Sequence, residues 1–266
     1  MIDESNITET VRATDISNDK PLTARSVLAS ALLGMEPPEA PVARLVRLAG
    51  LFAINENRAR VALSRMVAAG EASTDGTGRY RLEGDLLARK VRQSFSRSAT
   101  FRRWKGQWTV VVATATAETA GERVRRRRAL AAARLAELRE GVWLRPDNVD
   151  VDLPGWLDGD VVRLGGKLEE DPRALAGRLW DLGAWAGGAG VLLTRLAATA
   201  PGDRALLAPG FVLSASVLRH LQADPLLPPE LLPDQWPGRE LRAVYDDWDR
   251  RYRRGLAAWQ RSSEVG

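Results

Sequence analysis

Between Thr23 and Gly70 the apolar positions recur at three- and four-residue intervals in three blocks, which predicts three short helices. The first is Thr23 to Leu33, closed by Gly34, and the second is Val42 to Gly50, after a turn at Pro37, Pro38 and Pro41. A short break, Leu51 to Ile54, leads into the third, NENRARVALSRMVAAG from Asn55 to Gly70. Its apolar stripe is Ala59, Ala62, Leu63, Met66 and Val67. Asn55 suits the N-cap and Gly70 the left-handed residue after the C-cap. Glu71 to Thr74 and Arg79 to Leu82 then read as two strands around a Gly-rich turn, Asp75 to Gly78. A helix from Asp85 to Arg97 follows, with Leu86, Leu87, Val91 and Phe95 as its expected apolar stripe.

The pattern changes near Trp104. Trp108 to Ala113 is a β-branched run typical of a buried strand, and Thr119 with Glu122 forms a capping-box pattern at the head of a helix expected to run to Leu138. Gly141 to Pro146 and Asp160 to Leu164 read as strands, and Asp171 to Leu182 as a helix. Past Ala184 the pattern is helical, at Val191 to Ala198 and Ala208 to Gln222. The prolines of Asp224 to Gly238 then impose an extended, packed path. A last helix, Gly238 to Arg261, carries Leu241, Tyr245, Trp248, Tyr252, Leu256 and Trp259 at helical spacing, a stripe suited to a core or a dimer interface.

The expected fold class is α+β: an N-terminal winged helix-turn-helix, a central ferredoxin-like α/β domain lacking a clear last strand, and a helical C-terminal domain. The boundaries expected are 1–20 for a disordered leader, 21–100 for the winged helix with its linker helix, 101–183 for the ferredoxin-like domain, and 184–266 for an effector and dimerisation domain.

Composition removes many functions. With 45% hydrophobic and 27% charged residues the chain is globular, and it holds no cysteine and one histidine, His220. Thiolate or histidine metal sites and a Ser/His/Asp triad lack their parts, so no catalytic residue, metal or cofactor is expected and the chain is read as a non-enzyme. No long apolar run is present and Met1 to Lys20 is acidic and polar, which predicts a cytoplasmic protein without a membrane partner. The net charge of +5 is unevenly spread. Residues 21–105 carry fifteen basic and seven acidic side chains, while residues 106–200 and 201–266 are each balanced. That is the electrostatic footprint of a polyanion-binding module.

The outward face of the third helix sharpens this. Asn57, Val61 and Ser64 lie at its centre with Arg58, Arg60 and Arg65 on its flanks. Arginine can bond bidentately to guanine, asparagine to adenine, and valine can touch a thymine methyl, so the face reads as a recognition helix for double-stranded DNA. Arg79 and Arg81 share one face of the second hairpin strand, placed to reach phosphates. Arg125 to Arg128 reads first as a solvated helix face and second as a phosphate clamp.

Five segments together resemble the PaaX family of bacterial transcriptional repressors over about residues 22–250: ARSVLASALLG (24–34), NENRARVALSRMVAAG (55–70), WKGQWTVVV (104–112), GVWLRPDN (141–148) and DPLLPPELLPDQWPG (224–238). Arg60, Ala62, Leu63 and Arg65 match the family's helix pattern, with Ala59 and Met66 as mild departures. The resemblance implies a dimer that represses aromatic-acid catabolic genes, and because one such module reads few base pairs a homodimer on an inverted-repeat operator in double-stranded DNA is expected. The resemblance also implies release by a small-molecule effector, phenylacetyl-CoA or another acyl-CoA. Where relatives often read His-x-Tyr/Trp-Arg-Arg before Asp224, this chain has Ala215-Ser-Val-Leu-Arg219, and the ligand differs if that segment lines the effector pocket. No effector-binding residue is assigned from the sequence. The competing classes are a ferredoxin-like metal-dependent nuclease, which would need carboxylates where Ala113 to Thr116 has none, and an acyl-CoA enzyme, which would need a histidine near a nucleophile.

Overall fold

The structure, a computed structural model, describes residues 22–98, 101–114 and 119–262. The expected leader lies outside them. The fold mixes helices with two small antiparallel sheets. The described residues divide into two compact units: one holds residues 22–97 with Gly188–Gln222 and 238–262, the other holds the described residues between Ser98 and Gly187 with Ala223–Pro237. The N-terminal helices and the last two helices thus share one unit, although the sequence order suggests separate N- and C-terminal domains.

In the first unit, α1 (Ala24–Leu33), α2 (Val42–Gly50) and α3 (Glu56–Ala68) surround a core of Val27, Leu28, Leu32, Leu45, Leu48, Leu63 and Met66. Thr23 caps α1 by accepting from the Ser26 amide. The proline-rich stretch is more than a turn. Glu39–Pro41 forms β1, which pairs with β3 (Arg79–Leu82), while β2 (Ala72–Thr74) pairs with the other edge of β3. Pro41 is tolerated because β1 is an edge strand. The β2–β3 turn is held by Asp75, whose Oδ1 accepts from the amides of Thr77 at 2.8 Å and Arg79 at 3.2 Å.

The helix α4 (Gly84–Ser98) forms as expected, but on a different face. Leu86, Gln93 and Ser96 are buried, whereas Leu87 and Val91 are exposed, Val91 at 64%. The side that packs is chosen by polar anchors: Arg97 donates to Asp246 and Asp249 on α9 (Gly238–Ser262), and Lys90 pairs with Glu36 at 2.9 Å. Leu241, Tyr245, Trp248 and Tyr252 of α9 are buried, and Tyr252 donates its hydroxyl to Leu207 O at 2.8 Å on α8 (Leu207–Gln222). Gly210 permits this approach, since a Cβ there would stand 2.7 Å from the Tyr252 ring.

In the second unit, β4 (Trp108–Ala113), β5 (Ala136–Arg139), β6 (Val142–Pro146) and β7 (Val161–Gly166) make an antiparallel sheet in the order β5-β6-β4-β7. Alternation along β4 and β6 feeds two cores. Val111 and Trp143 pack with Leu130 of α5 (Ala120–Ala132), while Trp108 and Leu144 pack with Leu175 of α6 (Pro172–Leu179), Leu227 and Leu231. The Thr119–Glu122 capping box is present. However, α5 ends at Ala132, six residues early, because the chain reverses through Arg134 at φ 61° and Ala136–Arg139 pairs with β6. Ala-Glu-Leu-Arg has good helix propensity, and strand pairing overrides it. The boundary between the units falls within α7 (Leu182–Ala198), whose glycine-rich first half the sequence reading left out. Among the described residues no helix is long and apolar enough to cross a membrane.

Candidate nucleic-acid interface

Both ends of α3 are pinned by its own sequence. Asn55 accepts from the Arg58 amide at 2.9 Å. At the other end Glu71 N donates to Met66 O at 2.9 Å and Gly70 N to Val67 O at 3.0 Å, with Gly70 at φ 69°, a Schellman closure. Ala59, Ala62, Leu63 and Met66 face the core, so the rotation of the helix about its axis is determined. Asn57, Arg58, Arg60, Val61, Ser64 and Arg65 all lie exposed on the opposite side, with Val61 42% accessible.

The basic residues of this surface are not equivalent. Arg60 donates to Glu56 one turn back at 2.7 Å. Such an exposed i,i+4 pair is worth only about 0.3–0.5 kcal/mol, so a phosphate or base edge can displace it. Arg79 and Arg81 are exposed on β3, and Glu39 of β1 holds both, at 3.4 Å and 2.7 Å. Nothing local in the Pro-rich stretch, which reads as a turn, signals this carboxylate. The Glu39↔Arg81 register across the β1–β3 pair is what brings it there. Arg25 is similarly bound to Glu71.

The Arg125–Arg128 run has a divided role. Arg126 turns inward and is buried, the Arg125 guanidinium lies 4.0 Å from the Trp156 ring centroid, and Arg127 pairs with Glu137. The run therefore presents no row of four outward cations. His220 lies against Gly188, and a Cβ at Gly188 would stand 2.7 Å from the imidazole. At the end of β4, Ala113 and Thr114 carry no carboxylate, while Ala115 and Thr116 lie outside the described residues. No group of three or more metal-ligating side chains occurs among the described residues.

Arg145, which the sequence reading passed over, is a structural residue. It is fully buried and donates to Asn148 Oδ1 at 3.1 Å and Leu226 O at 3.2 Å, while Asn148 Nδ2 donates to the same carbonyl at 2.9 Å. Burial, reinforced by the nearby Arg134 charge, pushes its pKa down to about 9. The segments GVWLRPDN and DPLLPPELLPDQWPG are thus two sides of one clamp, which holds Leu226 at φ 53°.

These features define an α+β protein whose first unit carries an exposed, arginine-rich helix beside a small three-stranded sheet. The chain belongs to the PaaX-like protein family: the family's N-terminal pattern matches residues 23–86 and the PaaX-like protein C-terminal domain matches residues 193–261. Among solved structures, the uncharacterized protein Rv0674 from Mycobacterium tuberculosis is 41% identical and superposes with a TM-score of 0.70, covering 90% of this chain and 99% of that one. A comparison with curated proteins returns no match.

Proposed function

We propose that the protein is a transcriptional regulator that binds double-stranded DNA through α3, with β2 and β3 as the wing of a winged helix-turn-helix. The exposed face Asn57, Arg58, Arg60, Val61, Ser64 and Arg65, locked in rotation by the buried stripe behind it, carries this reading. Family membership supports the regulatory role. We read the β5-β6-β4-β7 sheet as a ferredoxin-like unit whose second crossover is reduced to a short helical turn, Gly155–Leu157. A cytoplasmic homodimer acting as a repressor of aromatic-acid catabolic genes, released by an aryl-CoA thioester, completes the proposal.

The test is fluorescence anisotropy on a duplex selected from random sequence. Arg60→Ala and Arg65→Ala should each lose roughly 1–3 kcal/mol on the selected site and relax its sequence preference, while Arg79→Ala weakens all duplexes alike. If none of the three changes binding, α3 is not the reading element. Titrating the complex with aryl and aliphatic acyl-CoA esters beside their free acids tests the effector. Release by free acids alone would remove the thioester from the proposal.

A further inference from the structure

The first unit contains a cavity of about 500 Å³, bounded by α1, α4, α8 and α9 and reaching β1 and β3. This lies within the range of roughly 300–1,000 Å³ usual for small-molecule sites. Phe211 and Leu218 of α8 and Leu256 of α9 give it an apolar wall. Three carboxylates also line it, and each is already engaged: Glu36 with Lys90 at 2.9 Å, Glu39 with Arg81 at 2.7 Å, and Asp249 with Arg97 at 2.8 Å and Arg253 at 2.9 Å. Arg44, Arg89 and Arg219 line the same space, and none of them has a carboxylate partner among the described residues.

Arg89 is half-buried, and the loss of water together with the neighbouring Arg219 and Arg92 charges holds its pKa below the usual guanidinium value. Arg89 is thus partly desolvated beside the exposed Arg219 with no carboxylate partner among the described residues, a local electrostatic cost that an incoming anion would relieve. We propose that this cavity binds a small organic anion with an apolar body, its charged head held by Arg89 and Arg219 and its body against Phe211, Leu218 and Leu256.

Two contacts tie the cavity to the surface assigned to DNA. Arg79 lines the cavity and stands on the wing strand β3. Phe211 meets Phe52 edge-on at 5.2 Å, in the turn that leads into α3. An occupant that draws Arg79 inward, or shifts Phe211, alters what the duplex meets, so ligand and duplex oppose each other. This opposition rests on the DNA-binding reading, whereas the ligand site stands without it.

The site is tested on the full chain without DNA, by fluorescence titration with 8-anilinonaphthalene-1-sulfonate and displacement of that probe. Phenyl phosphate should displace it, while benzyl alcohol, which lacks the charge, and inorganic phosphate, which lacks the body, should each be at least about tenfold weaker. Arg89→Gln and Arg219→Gln should each weaken the probe about tenfold, with circular dichroism unchanged, and Arg125→Gln in the second unit should leave it alone. Unchanged affinity in both cavity variants, or benzyl alcohol as effective as phenyl phosphate, overturns the anion site. In a parallel anisotropy assay, phenyl phosphate should release a bound duplex from the wild type and not from Arg219→Gln. Probe binding without any duplex binding overturns the DNA reading and leaves the site standing. Duplex binding without probe binding overturns the site, and binding of both without mutual release overturns the opposition.

Discussion

Two buried groups show how much a single side chain decides in this molecule. Arg145 is a cation surrounded by carbonyl and amide oxygens, with no carboxylate ion pair among the described residues, so its removal opens a cavity, takes the Arg145 donor from the Pro225 carbonyl and leaves the Leu226 carbonyl with Asn148 alone. Arg145→Ala should cost about 3 kcal/mol or more, read as a lower urea midpoint. Tyr252 illustrates the same principle at alkaline pH. Burial holds its phenol above the ordinary value of 10.0, and Asp249 adds to the effect. In the unfolded chain the phenol ionises first, so stability is complete below about pH 10 and falls as pH rises beyond it. Tyr252→Phe should flatten that fall while losing about 1–3 kcal/mol at neutral pH, because the Leu207 carbonyl loses its donor. Denaturation midpoints followed between about pH 8 and 11 check both effects.

At the scale of the element, α3 is a rigid part presented by its caps. Asn55→Ala removes the acceptor for the Arg58 amide and should destabilise the fold by about 1 kcal/mol, seen in thermal unfolding, without altering which duplex is preferred. The β2–β3 hairpin, the proposed wing, behaves differently, since a neighbouring carboxylate pairs with its arginines. Glu39 neutralises part of the Arg79 and Arg81 pair, so Glu39→Gln should strengthen binding to every duplex and steepen its dependence on salt. Anisotropy at several salt concentrations measures this. An unchanged slope would separate the wing from the phosphates. The helix α4 shows how an element is placed by a few ionic anchors: its Leu87 and Val91 stay exposed because Arg97 and Lys90 bind on the other side.

For the whole molecule, size limits the proposed DNA binding, since one winged helix reads few base pairs. Specific operator binding therefore calls for two copies on an inverted repeat, with half-sites spaced by whole helical turns. Light scattering should return a dimer at micromolar concentration, and a monomer both free and on DNA would count against the homodimer. The first unit also unites chain segments far apart in sequence. Arg47 donates to Gln260 O at 2.6 Å, so the last helix is bound directly to the helix that precedes the α3 turn.

Local signals determined the three N-terminal helices, the caps of α3, the hairpin, the first strand of the second sheet and the outward face of α3, because each depends on periodicity or on hydrogen bonds within a few residues. Position was decided elsewhere. The strand β1 exists only because β3, far along the chain, completes its backbone hydrogen bonds, whereas β5 is completed by the neighbouring β6 across the turn at Gly141, and neither Glu-Ala-Pro nor Ala-Glu-Leu-Arg alone favours an extended chain. The buried side of α4 and the inward turn of Arg126 likewise follow from what packs against them. Above all, the cavity joins side chains from residues 30 to 256, and that its carboxylates are each engaged by cations other than Arg44, Arg89 and Arg219 becomes visible only in the folded chain. Pairing across such distances is a property of the tertiary structure, since no local pattern records which charge will meet which.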